Sequence, residues 1–262
     1  MGLRHALRDG DEFRRALDGR RPAVFLDYDG VLTPIVDRPE DARMSADMRR
    51  VVHELADRCP VCVVSGRDRA VVQDLMGMHD LIVAGSHGFD IWHPDRGTLR
   101  HEAATGFERL VAEVGDELDD GVGWLDGVQV ERKRASVAVH YRRADADAAE
   151  RVAELVRRML AERSGELKLT PGKMVYEMQP NLDWDKGRAV RYLLDTLGLT
   201  GPETVPIYLG DDVTDEDAFR ALRGRGVSIF VGDPAALGRP TDADFALATV
   251  DEVAGLLDTL AR

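Results

Sequence analysis

Two aspartates stand close together near the start of the chain, directly after a short apolar run. Residues 23–26 are apolar, Asp27 and Asp29 follow with one residue between them, and Gly30 comes next. Neighbouring carboxylates repel each other and are costly to bury without a counter-charge. A divalent cation is the simplest counter-charge, and Gly30 would let the backbone turn sharply around it. A solvated acidic turn has the same residue pattern, so the pair alone leaves both interpretations open.

Further polar residues that could bind phosphate lie at the end of a predicted strand, at the start of a predicted helix and in a loop. Ser65 and Gly66 come directly after the apolar run 61–64 and before a predicted helix. The hydroxyl and the unpaired N–H groups of that helix start can donate to an anion, although Ser-Gly is also an ordinary turn. Lys186 opens another predicted helix and offers an ammonium group. His87 lies in a loop, where it can touch a substrate or simply satisfy a loop hydrogen bond.

A third acidic group follows the apolar run 205–209 and consists of Asp211, Asp212 and Asp215. Asp211 and Asp215 are four residues apart across a strand-to-helix turn, close enough to serve one ion directly or through water. Carboxylates without histidine or thiolate favour Mg²⁺. Acidic residues at a helix start can also merely compensate the helix dipole.

The elements that would position these residues alternate between buried strands and amphipathic helices, which indicates an α/β domain with a parallel sheet. In such a sheet all strands point the same way, so the carboxyl ends that carry these residues share one edge. A carboxylate, a hydroxyl, an ammonium group and a bound cation together describe a phosphoryl-transfer site. The predicted strands of this domain end near residues 26, 64, 84, 209, 231 and 247, and residues 3–18 are predicted to form one or two helical pieces interrupted at Gly10.

The middle of the chain has a different pattern, in which residues 128–132 and 136–142 alternate between apolar and polar. Such alternation is typical of strands with one solvent-exposed face. The order helix, strand, strand, helix, strand, strand predicts a separate α+β unit inserted into the main domain. We therefore expect a catalytic core at 1–103 and 179–262 and an inserted cap at 104–178.

Composition limits the possible partners of the chain. It has 262 residues and a net charge of −13, which argues against nucleic acid and anionic membranes as partners. No apolar run is long enough to span a membrane, and the first residues are too charged for a secretory signal, so we expect a cytoplasmic protein. Cys59 and Cys62 form a C-x-x-C, but Cys62 lies inside an apolar run, which favours small buried side chains over redox chemistry.

The strand-end motifs resemble, in chain order, those of the haloacid dehalogenase superfamily of phosphohydrolases. A second set of segments is similar to trehalose-6-phosphate phosphatases. The superfamily motifs are residues 27–33, 63–67, 186–187 and 210–216, and the segments of the second set are 84–88, 131–133, 140–142, 172–177 and 212–217.

This resemblance implies a Rossmann-like core with an inserted C2-type cap and a magnesium-dependent phosphatase that forms a phosphoaspartate. Asp27 would be the nucleophile and Asp29 the general acid and base, while Ser65 and Lys186 would hold the phosphoryl oxygens. Mg²⁺ would be bound by Asp27, the Asp29 carbonyl and Asp211, with Asp212 and Asp215 in support. The residues expected to bind the substrate are Gly66, Arg67, His87, Glu131, Lys133, Lys173 and Glu177.

The expected partner is therefore a small sugar phosphate, and we expect the protein to be a monomer. The four cap residues among these, Glu131, Lys133, Lys173 and Glu177, can equally belong to a solvated strand face. Two alternatives remain: a phosphatase of the same chemistry that acts on sucrose phosphate or a hexose phosphate, and a non-catalytic signalling module phosphorylated on aspartate.

Overall fold

The computed structural model describes residues 3–99, 106–172 and 174–262. The chain forms two compact units. The first consists of Met1–Leu99 and Trp184–Arg262, and the second of Arg100–Asp183. Within the described ranges, no helix is both long and apolar enough to cross a membrane.

The strands follow the predicted order, with three additions, one at residues 4–5 and two at residues 90–99. They are β1 (Arg4–His5), β2 (Arg21–Leu26), β3 (Val61–Val64), β4 (Ile82–Gly85), β5 (Asp90–His93), β6 (Gly97–Leu99), β7 (Gln129–Arg132), β8 (Val137–His140), β9 (Leu167–Gly172), β10 (Val175–Pro180), β11 (Thr204–Gly210), β12 (Val227–Val231) and β13 (Phe245–Leu247).

The helices carry the apolar stripes that the sequence predicts. They are α1 (Gly10–Leu17), α2 (Ala46–Ala56), α3 (Arg69–Met76), α4 (Glu108–Val122), α5 (Ala146–Glu162), α6 (Lys186–Thr196), α7 (Glu216–Leu222) and α8 (Val250–Ala261). Of the one or two helical pieces expected within residues 3–18, one is present as α1. The expected interruption at Gly10 is wrong, because α1 begins at Gly10 itself and residues 4–5 pair with β13 as a parallel edge strand.

A nine-stranded sheet organises the first unit, in the order β1-β13-β12-β11-β2-β3-β4-β5-β6. In this spatial order, all neighbouring strands from β1 across to β4 pair in parallel. Strands β5 and β6 extend the sheet beyond β4 as antiparallel strands. The carboxyl ends of β2, β3 and β11 consequently lie at one edge of the sheet. This is the edge at which the sequence places its carboxylates and Ser65.

The core of this unit lies on both faces of the sheet. Val24 and Leu26 belong to one cluster of buried residues, whereas Ala23 and Phe25 belong to the cluster on the other face. Helices α2, α3 and α8 contribute to the first cluster, and α6 and α7 to the second. A strand covered on both faces explains why the run before Asp27 is continuously apolar rather than alternating.

The two cysteines are free and buried, as the sequence indicates. Burial raises the pKa of the Cys59 thiol to about 11 and raises that of Cys62 further still. Thiols that stay protonated at neutral pH are poor nucleophiles, so this C-x-x-C suits packing rather than thiol exchange.

The second unit contains a four-stranded antiparallel sheet in the order β7-β8-β10-β9, together with α4 and α5. Strand β10 continues to Pro180, and the compact unit ends at Asp183, a few residues beyond the predicted position 178. Its role as a substrate-specificity cap stays a prediction.

Candidate active site

Asp27 lies directly after β2 and is 6% exposed. Its Oδ1 accepts a hydrogen bond from the backbone N–H of Tyr28 at 2.7 Å, and its Oδ2 accepts one from Lys186 Nζ at 2.9 Å. Burial raises the pKa of Asp27 well above its ordinary value, although the nearby ammonium opposes this effect. A carboxylate held in this way has a defined orientation, as an attacking nucleophile requires.

Lys186 is the first residue of α6 and reaches the same buried cluster. The helix begins there because the Asp185 side chain accepts from the backbone N–H of Arg188 at 2.8 Å, which caps the first turn. The ammonium group donates to Asp27 and, at 2.7 Å, to Asp215. Burial alone would lower the pKa of Lys186, but these two carboxylates outweigh it and raise the pKa, so the side chain is charged at neutral pH.

Asp215 is fully buried, and both of its oxygens accept hydrogen bonds. Oδ1 accepts from Lys186 Nζ and from the Tyr208 hydroxyl, each at 2.7 Å. Oδ2 accepts from the backbone N–H groups of Asp211 and Asp212, each at 3.1 Å. Asp215 therefore fixes both the lysine and the turn that carries the other two aspartates.

Asp211 completes a group of three carboxylates with Asp27 and Asp215, whose ligand atoms lie within 4.8 Å of one another. Burial, reinforced by the charge of Asp215, raises the pKa of Asp211 to about 7. Among the described residues Asp211 has no ion pair. Three carboxylates against one ammonium leave an excess of negative charge in a partly buried site, and an oxygen-only set of this kind fits Mg²⁺.

Gly30 is required where the loop after β2 meets Asp211. Its φ is +71°, and a Cβ built there would lie 2.0 Å from Asp211 Oδ2. Any side chain at this position would displace the carboxylate that the candidate metal site needs. The glycine next to the two aspartates thus serves close approach as well as the turn.

Asp29, the predicted general acid and base, forms a bidentate ion pair with Arg67. The guanidinium donates through Nε and Nη2 to the two carboxylate oxygens at 2.7 Å each, and through Nη1 to the Pro39 carbonyl at 2.8 Å. The hydrogen bonds to Asp29 raise the pKa of Arg67. Arg67, expected to bind substrate, is in this structure occupied by Asp29 and a backbone carbonyl.

Ser65, Gly66 and His87 meet at the ends of β3 and β4. Ser65 is buried, and its Oγ accepts from the backbone N–H of Arg67 at 3.2 Å. The backbone N–H of His87 donates to the Ser65 carbonyl at 2.8 Å. The φ of His87 is 56°, in the left-handed region that is unusual for residues other than glycine. A Cβ at Gly66 would lie 2.7 Å from the His87 ring, so the glycine lets the ring lie against the serine turn.

Three of the four predicted cap residues share one polar face of the second unit's sheet. Glu131 and Glu177 are both register partners of Ala138, one on each side. Lys133 Nζ and Ser136 Oγ donate to Glu177 Oε1 at 3.1 and 2.6 Å. His140 Nε2 lies 2.9 Å from Glu131 Oε2. The fourth, Lys173, lies outside the described residues.

Comparison with known proteins identifies the family of the chain. The family model described as trehalose-phosphatase matches residues 25–251, which is most of the chain. The chain belongs to the trehalose-phosphatase family. A trehalose-phosphate phosphatase of Mycobacterium avium (strain 104) is 43% identical over 249 residues, which cover 94% of this chain and 63% of the relative. The chain thus spans under two thirds of the length of the curated relatives that it matches.

Solved structures support the family and the fold. A trehalose-6-phosphate phosphatase of Aspergillus fumigatus is 30% identical, with a TM-score of 0.68 and 99% of each chain covered. A haloacid dehalogenase-like hydrolase of Bacteroides thetaiotaomicron is 15% identical and has a TM-score of 0.67. The match covers 92% of this chain and 100% of that one, so the two proteins share a fold. The predicted fold class is confirmed.

The structure brings together some predicted metal-site residues and separates others. Asp27, Asp211 and Asp215 form the cluster. The ligand expected from Asp29 is its backbone carbonyl, which stays a prediction, and its carboxylate is paired with Arg67. Asp212 is exposed, and its side chain accepts the backbone N–H of Val213 at 2.6 Å instead of joining the described cluster.

Sequence reasoning missed Tyr208, whose hydroxyl is bonded to Asp215. The available signal was a single polar atom in the otherwise apolar run 205–209.

Proposed function

We propose that this protein hydrolyses trehalose 6-phosphate to trehalose and inorganic phosphate through a phosphoaspartate on Asp27. The observation that carries the proposal is the buried Asp27 carboxylate, oriented by Lys186 beside Asp211 at the sheet edge of a trehalose-phosphatase family member. Membership of the family supports a sugar-phosphate substrate, and its identity as trehalose 6-phosphate is the finer part of the proposal.

In the first step an Asp27 oxygen forms a bond to phosphorus while the bond from phosphorus to the sugar oxygen breaks. Asp29 gives its proton to the departing sugar oxygen, which leaves as a hydroxyl group. Lys186 donates to the phosphoryl oxygens and offsets their charge, and the Ser65 hydroxyl donates to another. Because both Asp29 oxygens accept from Arg67, the carboxyl has to give up at least one of these hydrogen bonds to carry the proton.

In the second step a water oxygen attacks the phosphorus of the phosphoaspartate. Asp29 takes the water proton, the bond between phosphorus and Asp27 breaks, and phosphate leaves with Asp27 restored as a carboxylate. A bound Mg²⁺, for which Asp27 and Asp211 are the proposed side-chain ligands, would neutralise charge on the transferring group. The donor set on Asp215 suggests that it supports this site without contributing a ligand oxygen.

We further propose that the polar face of the second unit recognises the sugar. Glu131 and Glu177 flank the small Ala138 on neighbouring strands, and Lys133 supplies a donor beside Glu177. Sugar hydroxyls are both donors and acceptors, so a mixture of carboxylates and ammonium suits them. A site that pairs these hydroxyls would discriminate strongly against substrates that lack them.

Phosphate release from a small substrate panel tests the proposal. We expect trehalose 6-phosphate to have a kcat/KM at least about tenfold above sucrose phosphate and glucose 6-phosphate, with activity lost in EDTA and restored by Mg²⁺. Equal kcat/KM values for these sugar phosphates would refute the assignment of trehalose 6-phosphate as the substrate but not the proposed phosphatase mechanism. The Asp27→Asn variant should fold and show no turnover, because an amide cannot form the acyl phosphate. No release from any ester, with phosphorylation of Asp27 by a small phosphodonor, would favour a signalling module.

The cytoplasmic location and the monomeric state also stay predictions. Size-exclusion chromatography with light scattering tests the second, and a mass near 28.9 kDa is the expected result.

A further inference from the structure

Tyr208 lies on β11, two residues before the strand ends, and is fully buried. Its ring packs edge-on against Phe219, with the ring centroids 5.8 Å apart. A phenylalanine would fill the same space. A buried hydroxyl is costly unless it is hydrogen-bonded, and the partner of this one is Asp215 Oδ1 at 2.7 Å. The hydroxyl that distinguishes Tyr208 from a phenylalanine therefore donates its hydrogen bond to one carboxylate, that of Asp215.

That carboxylate holds Lys186, because Oδ1 accepts from the Tyr208 hydroxyl and from Lys186 Nζ at the same time. An ammonium group has three N–H donors. The described contacts of Lys186 use two of them, one to Asp215 and one to Asp27. The remaining N–H is the one that a phosphoryl oxygen can accept. Its direction depends on where the two carboxylates hold the nitrogen.

We propose that Tyr208 is a positioning residue for phosphoryl transfer: through Asp215 it sets the place of the Lys186 ammonium that binds the phosphoryl group. This inference rests on the proposed phosphatase function. It does not depend on which sugar is the substrate, because the phosphoryl group is common to all phosphate esters.

Loss of the hydroxyl would leave Asp215 Oδ1 with Lys186 as its only described donor. The oxygen would then attract the ammonium more strongly, and Nζ would shift from Asp27 toward Asp215. The backbone donors of Asp211 and Asp212 to Oδ2 are unchanged by this loss. We therefore expect the phosphoryl contact to weaken while the metal-binding turn keeps its shape.

The test is Tyr208→Phe, with Leu222→Ala as the matched control. Leu222 is fully buried in the same core cluster as Tyr208, but its side chain has no polar atom and it is the last residue of α7. Each variant is assayed well below its Tm, with rates corrected for the folded fraction. The readouts are kcat on an aryl phosphate, the inhibition constant of orthovanadate, which mimics the five-coordinate phosphoryl group, and the Mg²⁺ concentration for half-maximal activity.

For Tyr208→Phe we expect kcat to fall roughly 5- to 50-fold and the vanadate constant to rise by a similar factor. The Mg²⁺ requirement should change by less than about threefold. Leu222→Ala should lower the Tm and leave the vanadate constant unchanged. An unchanged vanadate constant in folded Tyr208→Phe, or equal effects in both variants, would overturn the proposal.

A second variant keeps the proposal testable if Tyr208→Phe does not fold. Asp215→Asn approaches the same contact from the other side, and we expect it also to weaken vanadate inhibition; an unchanged constant would overturn the proposal. The proposed function is judged separately on the wild-type chain. If that chain cleaves aryl phosphates and binds vanadate but spares trehalose 6-phosphate, the substrate assignment fails while the role of Tyr208 can still be measured.

Discussion

The stability of the metal-free protein should fall as pH rises from 5 to 7.5, and Asp211 should cause a large part of that fall. The pKa of this carboxyl is about 7 in the folded chain, against an ordinary value of 3.8. Between these values the folded state binds a proton that the unfolded chain has already lost. The free energy of unfolding therefore decreases with pH in this range. The raised pKa of Asp27 acts in the same direction.

The magnitude follows from the two pKa values of Asp211. One pKa unit corresponds to about 1.4 kcal/mol, and integration from pH 5 to pH 7.5 gives about 2 kcal/mol after allowance for solvent screening at this partly exposed group. For a chain of this length, about 2 kcal/mol is equivalent to a Tm lower by about 4–8 °C. Lys186 does not affect this window, because the stability from its raised pKa is lost only above the ordinary pKa of a lysine.

The assay is urea unfolding of the EDTA-treated protein at several pH values, with Asp211→Asn as the comparison. The amide cannot ionise, so the advantage of Asp211→Asn over wild type should grow by about 2 kcal/mol between pH 5 and pH 7.5. Mg²⁺ should stabilise the wild-type chain more at pH 7.5 than at pH 5, and should stabilise the variant far less. A difference between the two chains that does not change with pH, or that changes in the opposite direction, would refute the reasoning.

Two further predictions concern single atoms near the proposed metal and sugar sites. Gly30→Ala should raise the Mg²⁺ concentration for half-maximal activity at least about tenfold, because the new Cβ would collide with Asp211. The control is Gly198→Ala, where φ is a similar +68° but no atom lies within 4 Å of the new Cβ, so only stability should fall. Equal Mg²⁺ requirements in the two variants would contradict this prediction. Ser136→Ala should lower kcat/KM for trehalose 6-phosphate by roughly tenfold, because Ser136 orients Glu177. The kcat/KM for an aryl phosphate, which has no sugar, should not change. Equal losses on both substrates would indicate that the variant loosens the second unit as a whole.

The strand ends that carry the site could be predicted because their signals are local. A continuous apolar run of four or five residues followed by a polar cluster needs no knowledge of distant contacts. The parallel sheet then places Asp27, Ser65 and Asp211 at one edge by geometry alone. The same reasoning missed β5 and β6, which are short, contain Asp90 and Thr98, and are formed by antiparallel pairing onto β4.

The partners of the charged side chains could not be predicted, because they depend on which loops meet in space. Arg67 follows a strand end just as a phosphate ligand would, yet its guanidinium lies on Asp29, 38 residues earlier in the chain. The single polar atom that Tyr208 adds to the apolar run 205–209 was a weak signal, because its hydroxyl becomes informative only once Asp215 folds back over Gly210. A Cβ on that glycine would lie 2.3 Å from the Asp215 carboxyl carbon.

Four aspartates of this site have the same side chain but different charged partners. Asp29 is neutralised by Arg67, and Asp27 and Asp215 share the single ammonium of Lys186. Asp211 alone of the four has no ion pair within the described ranges. Burial, reinforced by the nearby charge of Asp215, raises its pKa. A cation supplied from solution would exchange for that proton, which makes Asp211 a residue through which metal binding and pH are coupled.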